Sequence, residues 1–447
     1  VATGLTQLYY QRERLVSDVP GYTAGVQLKN GPYIALSATE LAVYFPDDVA
    51  AHYDLEGRLQ MVAEPNSYRR RGLSHRVLLS RKLPAEEGGG IARELLPFDA
   101  GDALVAGAHE KAAAVHAALV SSAPVEFAKP SEKDALAQIL PVLERAAKFN
   151  APAARHDAER FRNIYGRVAI LPPDQYNSLV LQLTEGCAYT GCLFCELYRG
   201  VFYGQKNREE FRQHLEAALA YHGEGLRARR SIFLGEANAL ALPQRALVEI
   251  FKTLNERFEF PPSGKQPAPA DWWLGSRSRF DGVSSFLDAF TGKPRSASDF
   301  RELRQLGLRR VYIGVETGDD KLLKWLCKPA TAERVQHCVE ALKSAQIAVG
   351  AIVLLGPGGR QFSKEHIEGT AGLLNRLPFG KGDYIYFSPL VVYPGSRYAE
   401  EAGALGITPL SAPEMLAQEE AIGAALRFGE SRGKPYIARY DLETFVY

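Results

Sequence analysis

The chain has 447 residues, 46% hydrophobic and 23% charged, with a formal net charge of +1; that is enough for two or three domains around a large core, and the near-neutral balance gives no composition-level case for a nucleic-acid or membrane-surface partner. No apolar run reaches the ~18 residues of a membrane span, and no basic stretch followed by an apolar core opens the chain, so we expect neither a membrane span nor a signal peptide. Five cysteines, with no paired spacing outside one loop, fit a reducing cytoplasm.

Residues 1–100 read as a β-rich accessory domain. Short apolar runs at Gly25–Leu28, Tyr33–Leu36, Leu41–Phe45, Leu59–Val62 and Val77–Leu79 are separated by turn signals such as Lys29-Asn30-Gly31. Tyr68-Arg69-Arg70-Arg71, with Arg76, Arg81 and Lys82 behind it, is a basic cluster. It reads either as a solvated hairpin edge or as a patch for an acidic substrate or RNA. A helical connector spans 101–170, with helices expected over Ala103–Leu119 and Glu132–Lys148. His109 and His116 lie on the first helix and read as structural.

From Tyr176 the texture alternates strand and helix, and we assign 171–400 to a core and 401–447 to a C-terminal extension. Strands are expected at Ser178–Leu183, Ser231–Leu234, Trp272–Gly275, Arg310–Val315, Ile347–Leu355 and Tyr384–Val392. Helices are expected near Arg208–His222, Gln244–Phe258 and Glu333–Ala345. Asn207 caps the first of these. Phe211, Leu215, Ala218, Leu219 and His222 form its apolar stripe. Ser296 with Asp299 has the form of a capping box opening a further helix that Gly307 closes. Six β-α units with buried, β-branched-rich strands predict an α/β fold with a parallel sheet. Six units are short of a full eight-unit barrel, so the expectation is a partial (β/α)6 barrel of TIM type.

The loop after the first strand holds the chemistry. Cys187, Cys192 and Cys195 fall within nine positions, and they are three of only five cysteines. Three thiolates hold a [4Fe–4S] cluster and leave one iron open to a non-protein ligand. A structural zinc site wants a fourth ligand, and none stands close, since His214 and His222 lie well down the next helix. A Cys-x-x-Cys redox pair leaves Cys187 unexplained.

A first strand, then a cysteine loop with an aromatic residue before its last cysteine, then a helix resembles the radical SAM superfamily. The family's commonest spacing has three residues between the first two cysteines; here there are four, Ala188 to Gly191. The phrase VYIGVETGDDKLLKWLCKPATAERVQHCVEALKSAQIAVG resembles the branch containing the catalytic subunit of elongator and oxygen-independent coproporphyrinogen oxidases. The resemblance covers roughly 176–395. It implies two cofactors: a [4Fe–4S] cluster on Cys187, Cys192 and Cys195, and S-adenosylmethionine (SAM) chelating the open iron.

In β/α barrels the loops after the strands build the active site, which ranks the polar residues at those ends. The resemblance implies that Gly235 and Glu236 receive the SAM amino group, with Leu234 where the family has another glycine. It places Phe194 beside adenine and Glu316 at the ribose or methionine. Ser276 and Arg277, after the expected third strand, would meet the ribose and the SAM carboxylate, and Gly356 after the fifth would let the backbone approach adenine. Cys327 and Cys338 read as small buried hydrophobes. The chain has no second cluster motif, no Asp-x-His-x-x-Gly cobalamin signature and no acetyltransferase pattern. The expected activity is hydrogen abstraction from a small or medium-sized organic substrate, with an electron donor such as flavodoxin or ferredoxin. The alternative is an RNA-binding or RNA-modifying iron–sulfur protein.

Overall fold

The computed structural model describes residues 22–84, 89–127, 134–261 and 278–447. The chain divides into two units, one made of residues 1–167, 216–229 and 443–447, the other of 168–215 and 230–442.

In the first unit, nine strands among the described residues form one antiparallel sheet. From one edge to the other they are Ile91–Leu95, Val77–Lys82, Ser67–Arg71, Leu59–Glu64, Ala50–Asp54, Glu40–Tyr44, Tyr33–Ser37, Tyr22–Leu28 and Val125–Phe127. Nearly every neighbour in space is the neighbour in sequence, because tight turns join them. Asn30 and Asn66 take the left-handed backbone conformation in two of these turns (φ 57° and 63°), which asparagine tolerates better than most residues. Helices Ala100–Val120, Ala135–Lys148 and Ala151–Tyr165 complete the unit. Val26, Ile34, Val43 and Ala51 of the sheet share a core with Val105, Ala112, Val115, Ile139 and Leu143.

The basic cluster at 68–71 is not one solvated edge. It is a strand, and Arg71 points inward, only 4% exposed, donating to His75 Nδ1 (3.0 Å) and the Ala154 carbonyl (3.2 Å). Arg69 is paired with Glu64 at 2.6 Å. The buried Arg58 likewise bonds Asp54 (3.2 Å) and Asp157 (2.9 Å). Arg58 and Arg71 thus sit in the unit's interior, while Arg69 is partly exposed and Arg76, Arg81 and Lys82 lie on the surface.

In the second unit, seven strands among the described residues form a parallel sheet in the order Leu179–Gln182, Ile232–Gly235, Val283–Phe286, Leu308–Glu316, Ala348–Leu355, Tyr384–Pro389 and Tyr436–Arg439. We refer to them as the first to seventh core strands. This is the expected α/β partial barrel, with two differences. The third strand is Val283–Phe286; the expected Trp272–Gly275 lies outside the described residues. A seventh strand, Tyr436–Arg439, comes from the stretch expected to be an extension. The helices match closely: Arg208–His222, Gln244–Arg257, Ala297–Gln305 behind the Ser296/Asp299 capping box, and Ala332–Ser344. Asn207 Oδ1 accepts from the Glu209 and Glu210 amides, as a cap should.

Strand alternation sorts the fourth strand into two faces. Val311, Ile313 and Val315 lie on one. Arg310, Tyr312, Gly314 and Glu316 share the other, inner face. Gly350 on the fifth strand makes room there, because a Cβ at that position would collide with the Tyr312 ring. At the strand beginnings, Asp174 accepts from Arg310 (2.6 Å), Tyr312 (2.5 Å) and Tyr386 (2.7 Å) and ties the floor together.

Just past the fourth strand, the fully buried His366 meets Thr317 through Nδ1 (2.9 Å). Burial pushes its pKa down to about 4, with Asp319 pulling weakly the other way. The folded state therefore binds the neutral ring. Its stabilisation is complete above the unfolded value of about 6.5 and is lost as pH falls through the window down to about 4. Unfolding free energy between pH 7 and 4.5 should drop more steeply in the wild type than in His366→Asn, by roughly 2 kcal/mol. Parallel pH profiles would refute this.

Candidate functional site

The cysteine loop hangs from the end of the first core strand and is fastened at several points. Thr184–Glu185 pairs antiparallel with Gly204–Gln205, which closes the base of the loop. Gly186, with φ 68°, sits so close to Phe202 that a Cβ would stand 2.9 Å from its carbonyl oxygen. Further out, the Leu193 amide donates to the Leu326 carbonyl (2.9 Å), and the Tyr189 hydroxyl donates to the Cys327 carbonyl (2.7 Å). Leu193 is buried with Leu322, Leu326, Tyr398, Ala402 and Ile407, and Phe194 packs against the same cluster. The loop conformation is thus held by packing and by backbone bonds to the segment following the fourth strand.

The three thiols lie within electrostatic reach of one another. Burial pushes Cys192 up to about 12 and also raises Cys187 and Cys195, while the Lys328 ammonium pulls all three the other way. Among the described residues, no three His, Cys, Asp or Glu side chains are gathered as ligands of a single metal ion. A cubane cluster does not ask for that, since each cysteine bonds a different iron. The donor set suits such a cluster: three partly buried thiols that give up their protons on binding, beside a permanent positive charge that favours the thiolates.

That charge, Lys328, is the residue the sequence reading missed. Its Nζ lies 2.7 Å from Glu316 Oε1, with both side chains almost out of solvent (7% and 11% exposed). Burial alone would lower the lysine pKa, but Glu316 and Cys192 more than offset it and hold it above its ordinary value. Nζ also stands 6.0 Å from the centroids of both the Phe194 and Phe290 rings, in cation–π range. Gly314 leaves the space for the pair; a Cβ there would collide with the Glu316 carboxylate and stand 2.9 Å from Lys328 Nζ. The short helix Asp320–Trp325 returns the chain so that residue 328 meets residue 316.

Glu236, after the second strand, is also buried. Its carboxylate accepts from Gln182 Nε2 at 2.6 Å and from the Tyr198 hydroxyl, and its amide donates to Thr184 Oγ1 at 3.0 Å. Gln182 is itself fixed, its amide donating to His214 Nε2 (2.9 Å). The Gln182 and Tyr198 donors fix the orientation of the acid.

Ser276 and Arg277 lie outside the described residues. The third strand ends at Phe286, so Leu287 and Asp288 occupy the position those two were expected to hold. Asp288 exchanges two hydrogen bonds with Asn238 (2.7 and 3.1 Å), clasping the ends of the second and third strands. Gly356 does follow the fifth strand, with φ 76°, but its amide donates to Gln418 (2.8 Å) and its flank is filled by Met415 and Leu410. It packs against the helix Ala412–Ala425. Cys327 is exposed, not buried as expected, because the chain turns there in the left-handed conformation (φ 55°). Cys338 is half-buried, and burial pushes its thiol up to about 12.

Residues 181–374 match the sequence model of the family described as the Radical SAM superfamily. No curated protein sequence matches the chain. Among solved structures, it is similar to the radical S-adenosylmethionine methyltransferase TsrM from Kitasatospora setae (17% identity, 51% of this chain and 39% of that one, TM-score 0.36). It is also similar to coproporphyrinogen III oxidase HemN from Escherichia coli (13%, 55% and 51%, 0.36) and to Elp3 from Methanocaldococcus infernus (12%, 59% and 56%, 0.35). The chain thus spans between about two fifths and just over half of the length of these structures. Among the described residues, no helix is long and apolar enough to cross a membrane.

Proposed function

Residues 181–374 of this chain are a radical SAM domain, a type of domain found in enzymes, and from that premise we propose a specific reading. Cys187, Cys192 and Cys195 hold a [4Fe–4S] cluster, SAM binds beside it, and hydrogen is abstracted from a small or medium-sized organic substrate. When bound, the two cofactors would supply reductive cleavage of SAM to methionine and a 5′-deoxyadenosyl radical, with an external one-electron donor such as a flavodoxin or ferredoxin. The observation that carries this reading is one charged neighbourhood at the strand mouths, where three thiols share the field of a buried ammonium and a buried carboxylate.

Each side chain then has a task that its surroundings support. Lys328 stabilises thiolates and offers a cation to a ligand carboxylate. Glu316 keeps Lys328 charged and in place. Glu236, held by Gln182 and Tyr198, presents an anionic acceptor to a ligand ammonium. Phe194 supplies an apolar wall that keeps water from the ammonium and from whatever stacks beside it.

Anaerobic reconstitution should give about four irons per chain, and SAM with dithionite should yield 5′-deoxyadenosine. Stoichiometric zinc with no cluster would sink the reading. Glu236→Gln keeps the shape and an acceptor but removes the charge. It should weaken SAM binding about ten- to a hundredfold while the cluster assembles normally. SAM titrations followed by the paramagnetic resonance of the reduced cluster measure this, and equal affinities would defeat the assignment.

A further inference from the structure

Glu236 is braced from the same loop that carries the thiols. Gln182 and Glu236 stand at the ends of neighbouring strands: Gln182 pairs with Gly235, and the Leu183 amide donates to the Gly235 carbonyl at 2.8 Å. That register puts Gln182 Nε2 on Glu236 Oε1 (2.6 Å) and the Glu236 amide on Thr184 Oγ1 (3.0 Å). Tyr198 supplies a further donor, its hydroxyl bonded to the Glu236 carboxylate. This residue belongs to neither strand. It lies on the cysteine loop, three residues past Cys195.

The path from thiol to acid is short and turned back on itself. The Leu197 amide donates to the Cys195 sulfur, and the Val201 amide closes a turn on the Tyr198 carbonyl at 3.1 Å. Tyr198, Gln182 and Glu236 are all buried. Burial first, and then the Glu236 charge, hold the phenol protonated, so toward the acid it serves as a donor; Cys195 and Cys187 act on the same hydroxyl. Satisfying the tyrosine does not explain the bond. A buried phenol needs only a neutral acceptor, whereas burying a carboxylate costs more than one hydrogen bond returns. The tyrosine is there for the acid, not the acid for the tyrosine.

We propose that Tyr198 is a positioning residue for the SAM amino group, acting through Glu236 by tying that acid to the loop bearing the cluster ligands. A ligand held both by the cluster and by Glu236 fits only when the separation of the two is fixed. Gln182 and Thr184 set the acid against the first strand and the base of the loop, and Tyr198 sets it against the thiol-bearing segment itself. Displacing an oriented acceptor by a fraction of an ångström weakens whatever it holds. Tyr198 itself need not touch the ligand. This role rests on reading Glu236 as the acceptor of the SAM amino group.

The test uses the full chain, anaerobically reconstituted, as wild type, Tyr198→Phe, Glu236→Ala and the double variant. Iron content is measured on each, and SAM affinity by equilibrium dialysis. Phenylalanine keeps the ring and its packing and removes only the hydroxyl. Tyr198→Phe should retain full iron and bind SAM about tenfold more weakly. Added to Glu236→Ala, the same substitution should change SAM affinity by less than about twofold, because no acid remains to be positioned. Equal losses on the two backgrounds would reduce Tyr198 to packing and overturn the proposal. So would wild-type affinity in Tyr198→Phe, or tighter binding, which would mean that the hydroxyl only competes with the ligand for the acid. Loss of iron or of folding in Tyr198→Phe would overturn it as well, assigning the hydroxyl to the loop or to stability. The Glu236→Ala arm separates the failures: wild-type SAM affinity there sinks the reading of Glu236, whereas a loss there beside an unaffected Tyr198→Phe sinks the role of Tyr198 alone.

Discussion

Replacing Cys187, Cys192 or Cys195 with alanine is expected to abolish cluster binding and all SAM cleavage, each substitution alone being sufficient. The three thiols have no spare among the described residues. Cys327 is exposed, and its own Sγ is directed to the Trp325 carbonyl at 3.7 Å; Cys338 lies half-buried on the helix Ala332–Ser344. Cys327→Ala should therefore retain full iron and cost well under 1 kcal/mol, as surface substitutions do. Cys338→Ala should retain iron and cost on the order of 1 kcal/mol of packing. Iron and sulfide analysis of the five reconstituted variants decides the matter. Full iron loss in the Cys327 variant would mean that this thiol, whose backbone already touches the loop through Tyr189, is a ligand.

The folded alanine variants should be nearly as stable as the wild type in the absence of iron. The loop is fastened chiefly by the Leu193 amide, the Tyr189 hydroxyl and the Gly186 approach, and the thiol bond within it from Cys187 Sγ to the Tyr189 carbonyl, at 3.2 Å, is weak. A protein that unfolds when one cysteine is replaced would instead argue for a structural metal, where metal binding and folding are one equilibrium.

How much of this was legible beforehand follows from what each element buries. The strands at Leu179–Gln182, Leu308–Glu316 and Ala348–Leu355 are apolar runs because both faces are covered. The helix bounds follow from stripes and caps. The third strand, Val-Ser-Ser-Phe, hides because its serines find partners only in the assembled sheet: Ser285 Oγ donates to the Leu234 carbonyl at 2.6 Å. The seventh strand hides because it is an edge, with Tyr436, Ile437 and Arg439 exposed and no alternation to read. Arg71 looked like surface charge because a sequence does not reveal that Asp157 and His75 wait inside. Cys187, Cys192 and Cys195 stand out by spacing alone, as three of five cysteines within nine positions. Lys328 does not: it follows Cys327, which read as a buried hydrophobe, and precedes a proline, and only the short helix Asp320–Trp325 carries it back to Glu316.

Lys328 therefore supplies the second large expectation. Removing one partner of a buried pair leaves the other charged and unpaired, which costs roughly 3–5 kcal/mol, whereas replacing both by neutral groups of similar shape is often tolerated. Lys328→Met should lower the urea midpoint by an amount in that range, because Glu316 would remain with its carboxylate out of solvent. Glu316→Gln should cost less, since its amide oxygen still accepts from the ammonium. The double variant Lys328→Met with Glu316→Gln should recover most of the loss, and that non-additivity is the signature of the pair. Binding gives an independent readout. If Lys328 faces the SAM carboxylate, the double variant, although stable, should bind SAM about ten- to a hundredfold more weakly, because no cation remains between Phe194 and Phe290. A stable double variant with wild-type SAM affinity would confine Lys328 to holding the loop and would move the carboxylate site elsewhere. A single Lys328→Met variant as stable as the wild type would remove the pair from the energetics altogether.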